Sequence, residues 1–284
     1  RDRKEISEAF GAKKKERWSR AAELFSRQNV LNEAAECFER SGSLREAAGL
    51  WKRFGEQDRS RRCTIRALEQ EGRYGQAARE WERLGDKEAA LRNWEKAGNY
   101  ARLGDIHFER GDYLQAARMY EQKRNWSAAA ESYRRIEDLA RAAALYFKGK
   151  DYKSAAGLYR KLKDQERLLK CCELMGDHYA AGRIRERRKE LPEAIVQYRL
   201  FAEAEPMNRD NLLKEARRFE TGRGVVKAAI RYTALGLFDK SAPLFLSRKR
   251  FDLARRDFLE QGRRLEAAEC LASMGENLAA VREM

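Results

Sequence analysis

The side chains in this sequence best suited to chemistry are arginines, and the chemistry they suit is the binding of anions. They form two clusters along the chain: Arg59, Arg61 and Arg62, and Arg185, Arg187 and Arg188. A guanidinium group presents a planar fork of N–H donors that can hold a carboxylate or a phosphate through two hydrogen bonds. We therefore predict that these six residues bind acidic groups of a partner.

The net charge of the whole chain also favours an acidic partner. Its 284 residues include 61 Lys and Arg against 46 Asp and Glu, a net charge of +15. Such a charge favours an acidic protein or peptide, or a nucleic acid bound through its phosphates. The alternative is general solvation, since Asp and Glu are interspersed among the basic clusters. Both interpretations remain open from the sequence.

No combination of residues in the sequence predicts catalysis. The two histidines, His107 and His178, lie far apart in sequence, and the five cysteines show no CxxC spacing. A nucleophilic or metal centre needs several such side chains close together. The glycines on either side of Arg223 lack the GxxxxGK[ST] pattern of a phosphate-binding loop. We expect no catalytic residue, no metal ligand and no cofactor.

The elements that must position the arginines repeat about every 13 residues, and such a regular interval is typical of an array of like units. A clear unit has a large apolar residue at Leu31, small residues from Ala34, an aromatic residue at Phe38 and a glycine at Gly42. Apolar positions at i, i+3, i+4 and i+7 form one face of a helix. Glycine closes most units, which is typical of a helix end. Each unit therefore predicts one helix of about ten residues, roughly 15 Å long.

Helices this short are not stable alone in water, so they must pack against their neighbours. Connections of two or three residues make those neighbours antiparallel. The predicted fold is an all-α, superhelical α-solenoid of about twenty short antiparallel helices. By their register, Cys37, Cys171 and Cys270 are predicted to lie in its core.

Two steps interrupt the repeat. The step from Ala47 to Thr64 is longer than its neighbours, and the step from Ala194 to Ala228 is more than twice the usual length. We predict a solenoid array over 1–202, an irregular repeat or seam over 203–225, and a continuation of the array over 226–284.

Units such as Ala77–Gly85 and Gly111–Tyr120 resemble tetratricopeptide-like solenoids. The repeat is also similar to the short-helix arrays of clathrin heavy chain, coatomer, intraflagellar transport subunits and soluble NSF attachment proteins. The resemblance covers nearly the whole chain, and its motif concerns packing. It implies a role in protein–protein interaction by analogy of fold.

These observations together predict a non-enzymatic scaffold or adaptor region. Its partner would be a protein or peptide with acidic groups, or another domain of the same protein; the alternative is a solenoid that binds the nucleic-acid backbone. Because the first residue is Arg and not Met, we expect a piece of a larger protein. Unpaired cysteines and the lack of an apolar run of about 20 residues predict a cytoplasmic, reducing location without a membrane span.

Overall fold

A computed structural model of the chain describes residues 2–220, 222–276 and 279–280. Within these residues there are twenty α-helices and no β-strand, which confirms the predicted all-α solenoid. None of the described helices has the length and hydrophobicity that a membrane span requires. The helices are α1 (Asp2–Lys14), α2 (Trp18–Arg27), α3 (Leu31–Ser41), α4 (Leu44–Phe54), α5 (Gln57–Gln70), α6 (Tyr74–Arg83), α7 (Lys87–Lys96), α8 (Tyr100–Glu109), α9 (Tyr113–Gln122), α10 (Trp126–Arg135), α11 (Leu139–Lys148), α12 (Tyr152–Lys161), α13 (Gln165–Met175), α14 (His178–Arg187), α15 (Leu191–Ala204), α16 (Pro206–Phe219), α17 (Val225–Ala234), α18 (Phe238–Ser247), α19 (Phe251–Glu260) and α20 (Arg264–Ser273).

The helices belong to two compact units, the first extending to Ile136 and the second beginning at Glu137. Within each unit, every helix packs against the helices that precede and follow it in sequence. This is how a solenoid is stabilised, because each repeat buries its apolar face against its neighbours. The division into 1–202, 203–225 and 226–284 stays a prediction.

Alanine pairs make the close packing of these short helices possible. The small residue at the centre of most units is fully buried, as at Ala34, Ala77 and Ala129. Side chains of this size let neighbouring helix axes approach, and larger apolar residues fill the space that remains. All five cysteines are buried free thiols, as the register predicts for Cys37, Cys171 and Cys270.

The helix ends differ in one respect from the sequence prediction. Several end through a glycine with positive φ, such as Gly42 and Gly98, but lysine, arginine or glutamate takes the same left-handed conformation in others, such as Lys150. Many of the following helices begin with an Asp or Asn cap; the Asp151 side chain, for example, accepts a hydrogen bond from the backbone N–H of Ser154. The cap satisfies a donor that the helix itself leaves free. Glycine is therefore a common solution to the turn but not a required one.

Longer helices explain both interruptions of the repeat. Most helices contain 10 or 11 residues, whereas α5, α15 and α16 contain 14, which is about one additional turn. The long step into Thr64 corresponds to α5. The longer step from Ala194 to Ala228 contains the end of α15, all of α16 and a short 3₁₀ turn at Gly222–Gly224.

Candidate anion-binding cleft

Helices α3 and α5 line an open cleft with a volume of about 510 Å³. Arginines at i, i+3 and i+7 lie along one face of α5, and α3 contributes one more arginine and two glutamates. The lining residues are Glu36, Glu39, Arg40, Arg59, Arg62 and Arg66. The cleft therefore brings together side chains that are separated by as much as two repeats in sequence.

Buried residues on the adjoining face of α5 fix the helix in place. Ser60 and Cys63 are buried, and the Ser60 hydroxyl donates a 2.8 Å hydrogen bond to the backbone carbonyl of Ala48 in α4. Because α5 is anchored on that side, Arg59 and Arg62 project from the exposed side near its N-terminal end. The additional turn of α5 thus supplies part of the cleft wall.

Tryptophan rings hold two of the arginines in position. The guanidinium carbon of Arg40 lies 4.9 Å from the ring centroid of Trp18, and that of Arg59 lies 4.7 Å from the ring centroid of Trp51. A cation over an aromatic face gains about 0.5–1 kcal/mol at an exposed site. Neither guanidinium donates a hydrogen bond to a residue that the structure describes, so the N–H donors of Arg40 and Arg59 are available for an acceptor.

The two carboxylates of the cleft are already paired. Lys13 Nζ lies 2.8 Å from Glu36 Oε2, and Arg66 Nη1 lies 2.8 Å from Glu39 Oε1. The hydrogen bond from Lys13 holds the pKa of Glu36 below its ordinary value, with Arg40 and Arg59 acting in the same direction. The cleft lining therefore has four guanidinium groups against two carboxylates, an excess of positive charge.

Of the first arginine cluster, Arg59 and Arg62 line this cleft, whereas Arg61 lies on α5 outside its lining. Arg62 is exposed and makes no hydrogen bond or ion pair with any residue that the structure describes. Arg40 and Arg66 also line the cleft, although neither belongs to the arginine clusters identified in the sequence. The i, i+3, i+7 spacing on α5 is a signal that identifies Arg66.

The second arginine cluster lies in the other compact unit and is largely neutralised. Arg185 pairs with Glu173 at 2.6 Å and with Glu190 at 3.5 Å between nitrogen and oxygen. Arg188 pairs with Glu190 at 2.8 Å. Arg187 is exposed and forms no ion pair with the described residues. This cluster offers less unpaired positive charge than the cleft.

No protein-family model matches the sequence, and a search of curated proteins finds no match. Among solved structures, 64 chains match. One is a structure of Naa15/Naa10 bound to HypK-THB, with a TM-score of 0.29 and 12% identity over 96% of this chain and 51% of that chain, so this chain spans about half of its length. Another is the TPR2AB domain of yeast Sti1 in complex with pHSP90, with a TM-score of 0.20 and 16% identity over 99% and 98% of the two chains.

The surroundings of Arg231 in α17 contrast with the open cleft, because this arginine is buried among carboxylates. The Arg231 side chain is 3% exposed, and its nitrogens lie 2.8 Å from Glu215 Oε2 and 3.1 Å from Glu186 Oε2. Its guanidinium carbon lies 4.7 Å from the Tyr198 ring centroid. Burial would raise the pKa of Glu215, but hydrogen bonds from Tyr179 and Arg231 hold it below its ordinary value. Arg231 is thus a buried charge satisfied by carboxylates and is not open to a partner.

Asp257 in α19 is a buried acid without a cationic partner among the described residues. Its carboxylate accepts hydrogen bonds from Thr233, at 2.8 Å, and from Ser241. Its other oxygen, Oδ1, is buried and has no hydrogen-bond partner in the part of the chain that the structure describes. Burial raises the pKa of Asp257 to about 6 despite those two hydrogen bonds.

The described residues contain no group of three or more His, Cys, Asp or Glu side chains that could hold a metal ion. Burial raises the pKa of Cys171 to about 11, and burial together with the Glu39 carboxylate raises that of Cys63 to about 11. Thiols with such pKa values are poor nucleophiles at neutral pH. The cleft between α3 and α5 is therefore the candidate site, with an excess of arginine over carboxylate in its lining.

Proposed function

We propose that this chain is a non-enzymatic interaction scaffold that binds an acidic segment of a protein partner in the cleft between α3 and α5. One observation supports the proposal above all others. Four guanidinium groups line an open cleft whose two carboxylates are already paired. The partner is either a separate protein or another domain of the same protein.

The size and arrangement of the cleft favour a short segment with several Asp or Glu residues. Arg59 and Arg62 stand on one helix face, so they can meet acidic side chains on successive turns or alternate positions of a peptide. Arg40 faces them from α3. The arginine fork favours two-point contact with carboxylates, which adds direction to the attraction.

The remaining predicted residues have lesser roles in this proposal. Arg61 strengthens the positive field around the cleft, and Arg187 is an exposed charge in the other unit. Arg185 and Arg188 are already paired with Glu173 and Glu190, so we assign them no contact with the partner.

The proposal is tested by fluorescence anisotropy of a labelled synthetic peptide of alternating Glu and Gly residues, titrated over a range of salt concentrations. Charge reversal by Arg59→Glu with Arg62→Glu is expected to weaken binding by at least about tenfold, because it removes two charge-assisted contacts. The matched control, Arg187→Glu with Arg188→Glu, makes the same change in net charge and should alter affinity by less than about threefold.

Equal weakening by the two double variants would contradict a specific cleft. A labelled single-stranded oligonucleotide is titrated in parallel. Tighter binding of the oligonucleotide than of the peptide, with a steep decrease as salt increases, would favour the nucleic-acid alternative, since each neutralised phosphate releases counterions.

A further inference from the structure

Two glutamates in the first unit make the same polar contact across three consecutive helices. Glu69 Oε1 in α5 accepts a 3.0 Å hydrogen bond from the indole N–H of Trp81 in α6 and a 2.7 Å hydrogen bond from the Asn93 amide in α7. The same contact recurs one helix further along the chain. In both examples the tryptophan follows its glutamate by 12 residues.

The second example has the same geometry. Glu82 Oε1 in α6 accepts a 3.0 Å hydrogen bond from the indole N–H of Trp94 in α7 and a 2.9 Å hydrogen bond from Arg102 in α8. In both cases one carboxylate oxygen accepts from an indole of the next helix and from a polar side chain of the helix after it. This arrangement satisfies the indole donor within the packed repeats.

Glu39 in α3 occupies the corresponding position but accepts only one of the two hydrogen bonds, the one from the helix two further along the chain. It precedes Trp51 in α4 by the same interval and accepts a hydrogen bond from Arg66 in α5. The Trp51 indole nitrogen is buried and has no hydrogen-bond partner among the described residues. A buried N–H without an acceptor is unfavourable. The Trp51 indole is therefore an unsatisfied donor. Comparison with the two equivalent pairs identifies Glu39 as the acceptor it would use.

Cys63 of α5 is associated with both Glu39 and Trp51. The Cys63 thiol of α5 interacts with the Glu39 carboxylate, and Cys63 belongs to the same core cluster as Trp51. Glu39 also lines the cleft, as does Arg66. Glu39 therefore occupies the position at which the repeat places the acceptor of the Trp51 indole, while its present partner is Arg66.

We propose that Glu39 is a displaceable internal counter-ion of the cleft. Without a partner it pairs with Arg66; when an acidic group of the partner takes Arg66, Glu39 turns to the indole N–H of Trp51. The hydrogen bond to the buried indole N–H offsets part of the loss of the exposed Glu39–Arg66 ion pair. Glu39 thereby sets how acidic a segment must be to enter. This inference rests on the proposed function.

The test uses nitrogen-edited proton NMR of the tryptophan indoles during titration with the Glu/Gly peptide. The Trp51 signal is assigned with Trp51→Phe, while the Trp81 and Trp94 signals, already hydrogen-bonded to glutamates, serve as internal references. We expect the peptide to shift the Trp51 indole signal downfield and to leave both reference signals in place.

The variant Glu39→Met removes both the counter-ion and the acceptor. It should bind the peptide about threefold more tightly, because Arg66 no longer needs to be released, and its Trp51 signal should stay unchanged. Glu88→Met is the matched control, since Glu88 pairs with Arg110 at 3.0 Å outside the cleft; it should behave like the parent protein.

The outcomes separate the two proposals. Peptide binding without a Trp51 shift, or a shift that persists in Glu39→Met, would overturn the exchange while leaving the scaffold function intact. Absence of peptide binding to the parent protein would instead refute the proposed function, and the exchange with it.

Discussion

Two places where the helical repeat is interrupted use arginine in opposite ways. At α5, one additional turn places Arg59 and Arg62 on an open cleft with an excess of positive charge. At α14–α17, Arg231 of α17 lies between Glu186 of α14 and Glu215 of the lengthened α16, with 3% of its side chain exposed. The same residue type is available to a partner in the first region and sequestered in the second.

The difference shows that arginine runs in a repeat sequence do not measure available charge. An arginine is available to a partner only where no other helix places a carboxylate beside it. Glu186 reaches Arg231 from three helices earlier, and Glu173 reaches Arg185 from the preceding helix. Arg62 has no such carboxylate among the described residues.

Removal of the buried arginine should have the largest effect on stability. Arg231→Met leaves Glu186 and Glu215 without their central partner, and breaking a buried ion pair in this way costs about 3–5 kcal/mol. The matched change Arg62→Met should alter the free energy of unfolding by less than about 0.5 kcal/mol. Urea denaturation followed by circular dichroism measures both. Similar losses in the two variants would remove the distinction between sequestered and available arginine.

A smaller effect concerns Asp257, the buried acid beside the Arg231 region. Its pKa is about 6 in the folded protein against an ordinary value of 3.8, so the folded state binds more protons between these values. The free energy of unfolding should therefore fall as the pH rises from about 4 to about 6, with a contribution on the order of 3 kcal/mol. Asp257→Asn keeps an acceptor for Thr233 and Ser241 and should abolish this contribution.

Thermal unfolding over a pH series measures the Asp257 effect. Asp252→Asn on the same helix is the matched control, because its hydrogen bond from Arg250 lowers the pKa of Asp252. Loss of that carboxylate should act in the opposite direction, removing stability that is present at neutral pH and lost in acid. A pH profile of Asp257→Asn that matches the parent protein would show that Asp257 titrates normally.

The smallest effect is expected at the second arginine cluster. Arg185 is half-buried and pairs with Glu173 and Glu190, so Arg185→Met should cost about 1 kcal/mol. Arg187→Met, which removes an exposed charge, should leave the unfolding midpoint in urea unchanged. A midpoint that moves equally in both variants would mean that the ion pairs of Arg185 contribute nothing.

The sequence predicted the regular part of the fold because its signal is local. Apolar spacing identified the helices, and register identified Cys37 and Cys270 as core residues. Additional turns were visible as long steps, but their lengths did not reveal which charges would be neutralised. The pair of Arg66 and Glu39 is separated by 27 residues. It forms only because α5 lies close to α3, two helices earlier in the chain, and the sequence spacing does not reveal this.

One signal for the buried polar groups was present in the register. The third residue after the small alanine is buried in many units, including the cysteines at 37 and 270. Asn93, Arg231 and Asp257 occupy the same position and are also buried. A polar residue there must find partners inside the protein. Their identity still required the structure, since the partners come from other helices.

The contact between α15 and α17, which bypasses α16, has a consequence for folding cooperativity. The other extensive helix–helix contacts within each unit join sequence neighbours, so those helices can open one boundary at a time, as in a linear chain of coupled repeats. Helix α17 instead contacts α15, α16 and α18, and residues 228–235 are buried without a break. Opening α17 disturbs three helix contacts at once, so this segment forms the cooperative centre of its unit and its amide protons should be among the slowest to exchange.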